Sequence, residues 1–322
     1  MGEVNVSRSG PLVTVQDQGR RGYVALGVAR GGALDLCAAQ VANLLVGNPP
    51  EAALLEITLG GLRLGFTESR RVAWCGGDFV VQVAGERIPA GRCAMVRRGE
   101  ELAVENAVAG VRAWLAIEGG IDVPEVLGSK STDLRSAFGG LEGRALRAGD
   151  KLSLGKSNAP APEARRLAPW SAPAEWARTA LPAPLLRIVH GAEWTEFTPQ
   201  AQRDLLEKTF TVTTQADRMG VRLAGTELRR RKKRELISEA VVPGTIQVAH
   251  DGQPIVLLGD CQTIGGYPKI AHVITVDLAR AAQLQPNDTV RFEEVSLQQA
   301  AALATARAHD LERFRVGLQL RA

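Results

Sequence analysis

Asp251-Gly-Gln-Pro-Ile-Val-Leu-Leu-Gly-Asp-Cys-Gln-Thr-Ile-Gly-Gly-Tyr-Pro-Lys-Ile270 sets one apolar strand, Pro254 to Leu258, between two polar segments that carry glycine. Its second half packs Asp260, Gln262, Thr263, Tyr267 and Lys269 into ten residues. Gly265 and Gly266 let the backbone turn where side chains would block it. A strand that runs into a turn full of donors and acceptors suits a small-molecule site on a β scaffold. The same pattern also fits a polar hairpin loop.

Short strand patterns recur outward from this stretch. In the second half they fall near Thr209–Thr213, Leu236–Glu239, Ile246–Val248, Ile255–Leu258 and Val273–Val276. Thr198-Pro199 predicts an N-cap and a proline at the first helical position, with a helix to about Glu207. Asp277 is placed to cap a short helix to Leu284. In the first half, strands are predicted at Leu12–Val15, Ala53–Thr58, Arg71–Cys75, Val80–Val83, Ala94–Arg97, Leu102–Glu105 and Val111–Ile117. Leu34, Ala38, Val41 and Leu45 share one face of a helix over Ala33–Leu45, ended by Gly47-Asn48 and Pro49. Strands this short and this regularly punctuated predict a mainly β chain with a few short helices, either barrel or sandwich.

Residues 156–186 are rich in Ala and Pro without a steady period, which reads as a linker or an extended wrap. The chain therefore divides into an N-terminal domain over 1–155, this segment, and a C-terminal domain over 187–322. Ser296–Phe314 reads as an amphipathic helix, with Leu297, Ala301 and Ala304 on the stripe that packs on its own domain. Two echoes suggest related halves. Leu146–Leu154 resembles Leu284–Phe292, and Asp17…Arg20-x-Gly22 resembles Asp217-Arg218-x-Gly220.

Composition narrows the function. The chain has 322 residues, 34 Gly and 16 Pro, and a net charge of +4. That charge, with seven Phe and two Tyr, does not suit nucleic-acid binding. No apolar run reaches the ~18 residues that a bilayer span needs. MGEVNVSRSG lacks the apolar stretch of a signal peptide. Cys37, Cys75, Cys93 and Cys261 contain no Cys-x-x-Cys pair, and are expected as free thiols in a reducing cytoplasm. His190, His250, His272 and His309 form no metal-binding pair, so no metal is expected. Gly128-Ser-Lys-Ser-Thr132 lacks the spacing of a phosphate loop. Met1, Met95 and Met219 have no lysine beside them, so no segment resembles a biotin carrier.

The candidate site residues come from three segments. Asp217-Arg218 sets a guanidinium fork beside a carboxylate, able to hold a second carboxylate or polarise an amide oxygen. It could equally brace a turn. Glu239 and Gln247 flank a bend, where the glutamate could act as base or as a cap. The basic run Arg229–Arg234 could grip an anion, or could form a solvated hairpin tip.

Together these segments resemble one family. Thr14-Val-Gln-Asp-Gln-Gly-Arg20, Gly32-Ala-Leu-Asp35, Ala42–Asn48, Leu55–Gly61, Glu118-Gly-Gly-Ile-Asp122 and Phe138–Gly143 are similar to its N-terminal half. Asp217–Gly220, Ser238-Glu239, Asp251–Pro254 and Gln262–Ile270 are similar to the rest. The family is the biotin-dependent carboxyltransferase, or allophanate hydrolase subunit 2, group. It includes the C subunits of 5-oxoprolinases and the carboxyltransferase part of urea carboxylase.

The resemblance implies two tandem cyclophilin-like β-barrel domains. It also implies a cytoplasmic component of an ATP-dependent complex, with homologues of the 5-oxoprolinase A and B subunits as partners, that hydrolyses 5-oxo-L-proline to L-glutamate. The complex would use ATP, and this chain would bind no cofactor. A carboxyltransferase fed by a separate biotin carrier, or a regulatory protein that binds its B-type partner, are the other implied roles. In the hydrolase reading, Arg218 and Lys269 stabilise charge on the amide oxygen. Asp217 and Glu239 move protons or hold Arg218. Gln247, Gln262, Thr263 and Tyr267 orient the substrate, and Gly265 and Gly266 let the loop approach it. The chain departs from the family at Cys261, where the family carries Arg. A thiol replaces neither the fork nor the charge.

Overall fold

The computed structural model describes residues 2–157, 166–232 and 236–320. Lys233 and Arg234 of the basic run, and residues 158–165 of the Pro/Ala-rich segment, lie outside the described residues. The architecture is mainly β with a few helices. By contacts it forms two compact units. One comprises Met1–Arg21, Gly31–Ala180 and Arg313–Ala322; the other comprises Gly22–Arg30 and Leu181–Glu312.

The second unit is a closed seven-stranded barrel. Going round it, the strands are Leu185–His190, Lys269–Val273, Thr245–Val248, Pro254–Leu257, Gly220–Ala224, Phe210–Ala216 and Thr289–Glu294. A ring with an odd number of strands cannot alternate direction all the way round. The one parallel pair falls where Leu185–His190 meets Thr289–Glu294. Alternate residues of each strand point inward. Phe210, Phe292, Leu186, Ile188, Val212, Ile246, Val256 and Ile270 are buried. The Phe210 and Phe292 rings lie 5.9 Å apart. Side chains thus fill this small barrel, and its chemistry must sit on the rim or the outer loops.

The first unit is a nine-stranded sheet, with Val4, Val13, Leu55, Leu64, Trp74, Leu102 and Leu115 in its core. Two pairs of predicted strands are single long strands here, Arg70–Val83 and Glu101–Ile117. Gly76-Gly77 between the first pair reads as a turn in the sequence. In the fold it is a site of bulging, with register shifts between Gly76 and Val81. Bulges bend a strand without ending it.

The helices follow their caps. Asp35 Oδ1 accepts from Ala38 N at 2.9 Å and starts the helix Leu36–Leu45. Thr198 Oγ1 accepts from Ala201 N at 3.1 Å and starts Pro199–Glu207. Asp277 precedes Leu278–Ala281 but does not cap it. Its carboxylate is taken by Arg187 instead, at 2.8 and 2.6 Å. Ser296 and Gln299 form a capping box that opens the last helix, Leu297–Gln319. The expected packing stripe does not form, since Leu297 is 70% exposed. Phe314, near the other end, meets Trp176 edge-on at 5.7 Å, within the first unit.

The Pro/Ala-rich segment over residues 166–180 is a wrap on the first unit rather than a free linker. Its backbone is satisfied there, as Ala168 N bonds Cys93 O and Ala172 N bonds Gly91 O. Arg166 adds two 2.8 Å bonds to Glu100.

One sequence echo is structural. Val6 N donates to Asp150 O and Gly149 N to Val6 O, both at 2.8 Å. In the second unit Val212 N donates to Asp288 O and Asn287 N to Val212 O, at 2.8 and 2.9 Å. Asp150 and Asp288 each also accept the backbone N three residues before them. The second echo is local only. Asp17 and Asp217 both brace a turn. Asp17, however, follows the strand Leu12–Gln16, whereas the first echo aligns Phe210–Ala216 with Glu3–Ser9. All four cysteines are free. Among the described residues no helix is long and apolar enough to cross a membrane.

Candidate functional site

The strand Thr245–Val248 carries Gln247, buried at the barrel wall. It pairs with Lys269 across a register shift between Ile246 and Gln247. The loop from Gln262 folds back over it and forms a two-residue ribbon, Ile264–Gly265 with Glu239–Ala240. Gly265 suits that approach, because a Cβ there would sit 2.6 Å from Gln247 Nε2 and push that amide aside. The two amides meet. Gln262 Nε2 donates to Gln247 Oε1 at 3.4 Å, and Gln247 Nε2 donates to the Tyr267 carbonyl at 3.3 Å.

These residues line a cleft of about 960 Å³, the size of a small-molecule pocket. Gln247, Gln262, Gly265, Gly266 and Tyr267 are on its wall. His250 stands edge-on to Tyr267, ring centres 5.2 Å apart. Arg229 and Arg230 also line it. Arg229 is paired with Glu227 at 2.9 Å, and Arg230 with Glu196.

Lys269 follows Pro268 of the wall; neither it nor Glu239 lines the cleft, and its side chain is buried. Its Nζ lies 2.6 Å from Glu239 Oε2 and 3.5 Å from Glu193 Oε1. Burial alone pulls the ammonium pKa down. The Glu239 hydrogen bond and the Glu193 charge outweigh it, and the net direction is up. The cation is thus fixed in its charged form. His272, whose Nδ1 is 3.3 Å from Thr245 Oγ1, is pushed down by burial and then by the Lys269 charge.

Other expected site residues lie elsewhere. Asp217 Oδ1 accepts from Met219 N and Gly220 N at 2.7 and 3.2 Å, so this carboxylate braces its own turn. Arg218 is buried, and its fork grips Asp260 at 2.7 and 3.0 Å. The Nε–Nη2 edge of the guanidinium is thus occupied by a carboxylate of the protein itself. Neither residue lines the cleft. Thr263 contributes its carbonyl, bonded by Val241 N at 3.0 Å, and is also away from the cleft. Cys261 is buried against Val241 and Leu257. Burial, then the Asp260 charge, pushes its thiol up to about 12, so it is no nucleophile near neutral pH.

Sequence reading misses His250 and Glu193 as members of this region, and leaves the run holding Arg229 and Arg230 between an anion grip and a solvated tip. His250 immediately precedes the stretch quoted first, where its neighbour Asp251 reads as turn chemistry. Glu193 sits in His190-Gly-Ala-Glu-Trp194, which has no period and no motif. Only the backbone pairing of that turn with the strand at Lys269 reveals it. Among the described residues, no three His, Cys, Asp or Glu side chains are grouped to hold a metal ion.

The chain is 39% identical to the C subunit of 5-oxoprolinase from Escherichia coli (strain K12) over 297 residues, covering 92% of this chain and 93% of that one. It is 31% identical to urea amidolyase of Lachancea kluyveri, covering 97% of this chain but only 18% of that much longer protein. The crystal structure of Kluyveromyces lactis urea carboxylase superposes with a TM-score of 0.89 at 30% identity, over 97% of this chain and 29% of that one. A family model described as carboxyltransferase domain, subdomain A and B, matches residues 26–294, and the chain belongs to that family.

Proposed function

We propose that this chain is the C subunit of a cytoplasmic, ATP-dependent 5-oxoprolinase. With homologues of the A and B subunits it opens the lactam of 5-oxo-L-proline to L-glutamate. The observation that carries the reading is the pair of abutting amides at the cleft wall. A lactam offers one N–H donor and one C=O acceptor on adjacent atoms. Gln247 and Gln262 together offer the complementary acceptor and donor, and Gly265 keeps the loop close to both. The 39% identity to a protein named as a 5-oxoprolinase component supports the choice of substrate.

In this reading water adds to the lactam carbonyl, the C–N bond breaks, and the ring nitrogen leaves with a proton. Negative charge gathers on the carbonyl oxygen as water adds. Lys269, next to Pro268 of the cleft wall and held in its charged form, stabilises that charge. Glu239, hydrogen-bonded to it and open to solvent, is the group that moves the proton. Tyr267 and His250 form the wall against which the ring lies. Arg218 and Asp217 brace the loop at Asp260 and take no part in the chemistry. ATP is consumed by the complex, and this chain binds no cofactor.

The deciding experiment is reconstitution with the A and B homologues, measuring glutamate formed from 5-oxo-L-proline with and without ATP. ATP-dependent glutamate release is expected. Assembled, folded proteins that form no glutamate would sink the reading. The TM-score of 0.89 to a urea carboxylase favours one other reading, a carboxyltransferase fed by a biotin carrier on another chain. Carboxyl transfer between a carboxylated biotin carrier and urea, in place of lactam hydrolysis, would establish it.

A further inference from the structure

Lys269 is clamped from two sides of unequal character. Glu239 reaches it from the two-residue ribbon, and its side chain is 61% exposed. Glu193 reaches it from the turn before Trp194–Glu196, and its side chain is 11% exposed. The two oxygens of Glu193 do different things. Oε2 accepts the backbone N–H of Lys269 at 2.7 Å, while Oε1 faces the ammonium at 3.5 Å. The turn is clipped to the strand in return. Glu193 N donates to Lys269 O at 3.3 Å, and Gly191 N donates to Ile270 O at 2.9 Å.

A backbone N–H needs only a neutral acceptor, which glutamine would supply. A buried carboxylate costs several kcal/mol of desolvation unless a cation offsets it. The negative charge on Glu193 therefore answers to Lys269 Nζ. Water screens Glu239, whereas Glu193 acts through the protein interior, where a charge is felt more strongly.

The geometry points to Glu193 as the positioning residue of the candidate site, fixing both the backbone and the ammonium of Lys269 so that the cation stays in place when Glu239 exchanges its proton or its partner. The charged and titratable groups that face Lys269 are Glu193 from the turn, Glu239 from the ribbon and His272 from its own strand. The catalytic consequence rests on the hydrolase reading, but the geometric claim does not.

The test separates the two. Trace acetylation of Lys269 against pH, read by mass spectrometry on the isolated folded chain, gives its titration midpoint without turnover. Glu193→Gln keeps the acceptor for Lys269 N–H and removes the charge. Its melting temperature should stay near wild type while the Lys269 midpoint falls by about one pH unit, more than in Glu239→Gln. Glu193→Asp keeps the charge, and its midpoint should lie nearer wild type than that of Glu193→Gln, which guards against a misfolded glutamine variant. A wild-type midpoint in Glu193→Gln, or equal midpoints in the glutamine and aspartate variants, overturns the proposal. In the reconstituted complex, kcat of Glu193→Gln should fall about tenfold with KM within about twofold, and the alkaline limb of the profile should move to lower pH. If the wild-type complex forms no glutamate, the hydrolase reading fails while the Lys269 midpoint still decides the role of Glu193.

Discussion

The second unit holds two buried cations that treat their carboxylates differently. Arg218 closes its Nε–Nη2 edge on Asp260 in two hydrogen bonds. Lys269 divides its ammonium between buried Glu193 and exposed Glu239. One pair is sealed, and the other faces solvent on one side. Sequence chemistry ranks the arginine as the better anion holder, since a planar fork outperforms a point charge. The proposed function reverses that order, because one partner of Lys269 is open to solvent and can be exchanged.

The largest effect expected from this contrast is in Lys269→Ala. Removing a key charge-stabilising donor should cost ~100-fold or more in kcat of the reconstituted complex. Activity within about twofold of wild type would make Lys269 another sealed brace and erase the contrast. Arg218→Ala should act on stability instead. Leaving Asp260 without its fork should cost about 3 kcal/mol in urea unfolding, the lower end for breaking a buried pair. The double variant Arg218→Met with Asp260→Leu should recover much of that loss. An Arg218→Ala complex that is stable but slowed like Lys269→Ala would return the arginine to the chemistry.

Gln262→Ala is expected to be milder. It removes one of the two amides at the cleft wall and should raise KM for 5-oxo-L-proline about tenfold, the worth of one lost hydrogen bond of ~1.4 kcal/mol. The amide of Gln247 is already held by the Tyr267 carbonyl, so the wall itself should stay intact.

The fold is legible in the sequence where a residue's own chemistry sets the local structure. Thr198-Pro199 marks a helix start because caps are local. The strand patterns mark Phe210–Ala216, Thr245–Val248 and Pro254–Leu257 within a few residues, but miss Leu185–His190 and Gly220–Ala224. The strand expected at Val273–Val276 is Lys269–Val273, and Leu236–Glu239 reaches only the first residue of a two-residue ribbon outside the barrel. Arg70–Val83 reads as two strands because a glycine in sequence does not say whether the chain turns or bulges; the pairing with Glu101–Ile117 decides it. The site is legible in part for the same reason. Gln262, Gly265, Gly266 and Tyr267 share one loop, so their proximity is local. Glu193 lies 76 residues from Lys269, and nothing in either segment announces the other. Asp277 fails as a cap because Arg187, 90 residues away, outcompetes a local amide for its carboxylate; charge-assisted pairs are about twice as strong as neutral ones.

The smallest expected effect concerns His272, which feels Lys269 without touching cleft or ribbon. Burial and the Lys269 charge both hold its folded pKa below the usual histidine value. The fold therefore prefers the neutral ring. The stability this contributes is fully present above the unfolded pKa of about 6.5, and is lost as pH falls toward the folded value. Wild-type protein should lose stability between about pH 7 and 5, and His272→Gln should lose less, because an amide can still meet Thr245 Oγ1 and takes up no proton. The Glu193 carboxylate opposes the shift, so Glu193→Gln should steepen the acid dependence while His272→Gln flattens it. Melting temperatures of the three proteins across that range would check the sign. Parallel curves for all three would mean that Lys269 is screened from His272, and that the open pair is as isolated from its surroundings as the sealed one.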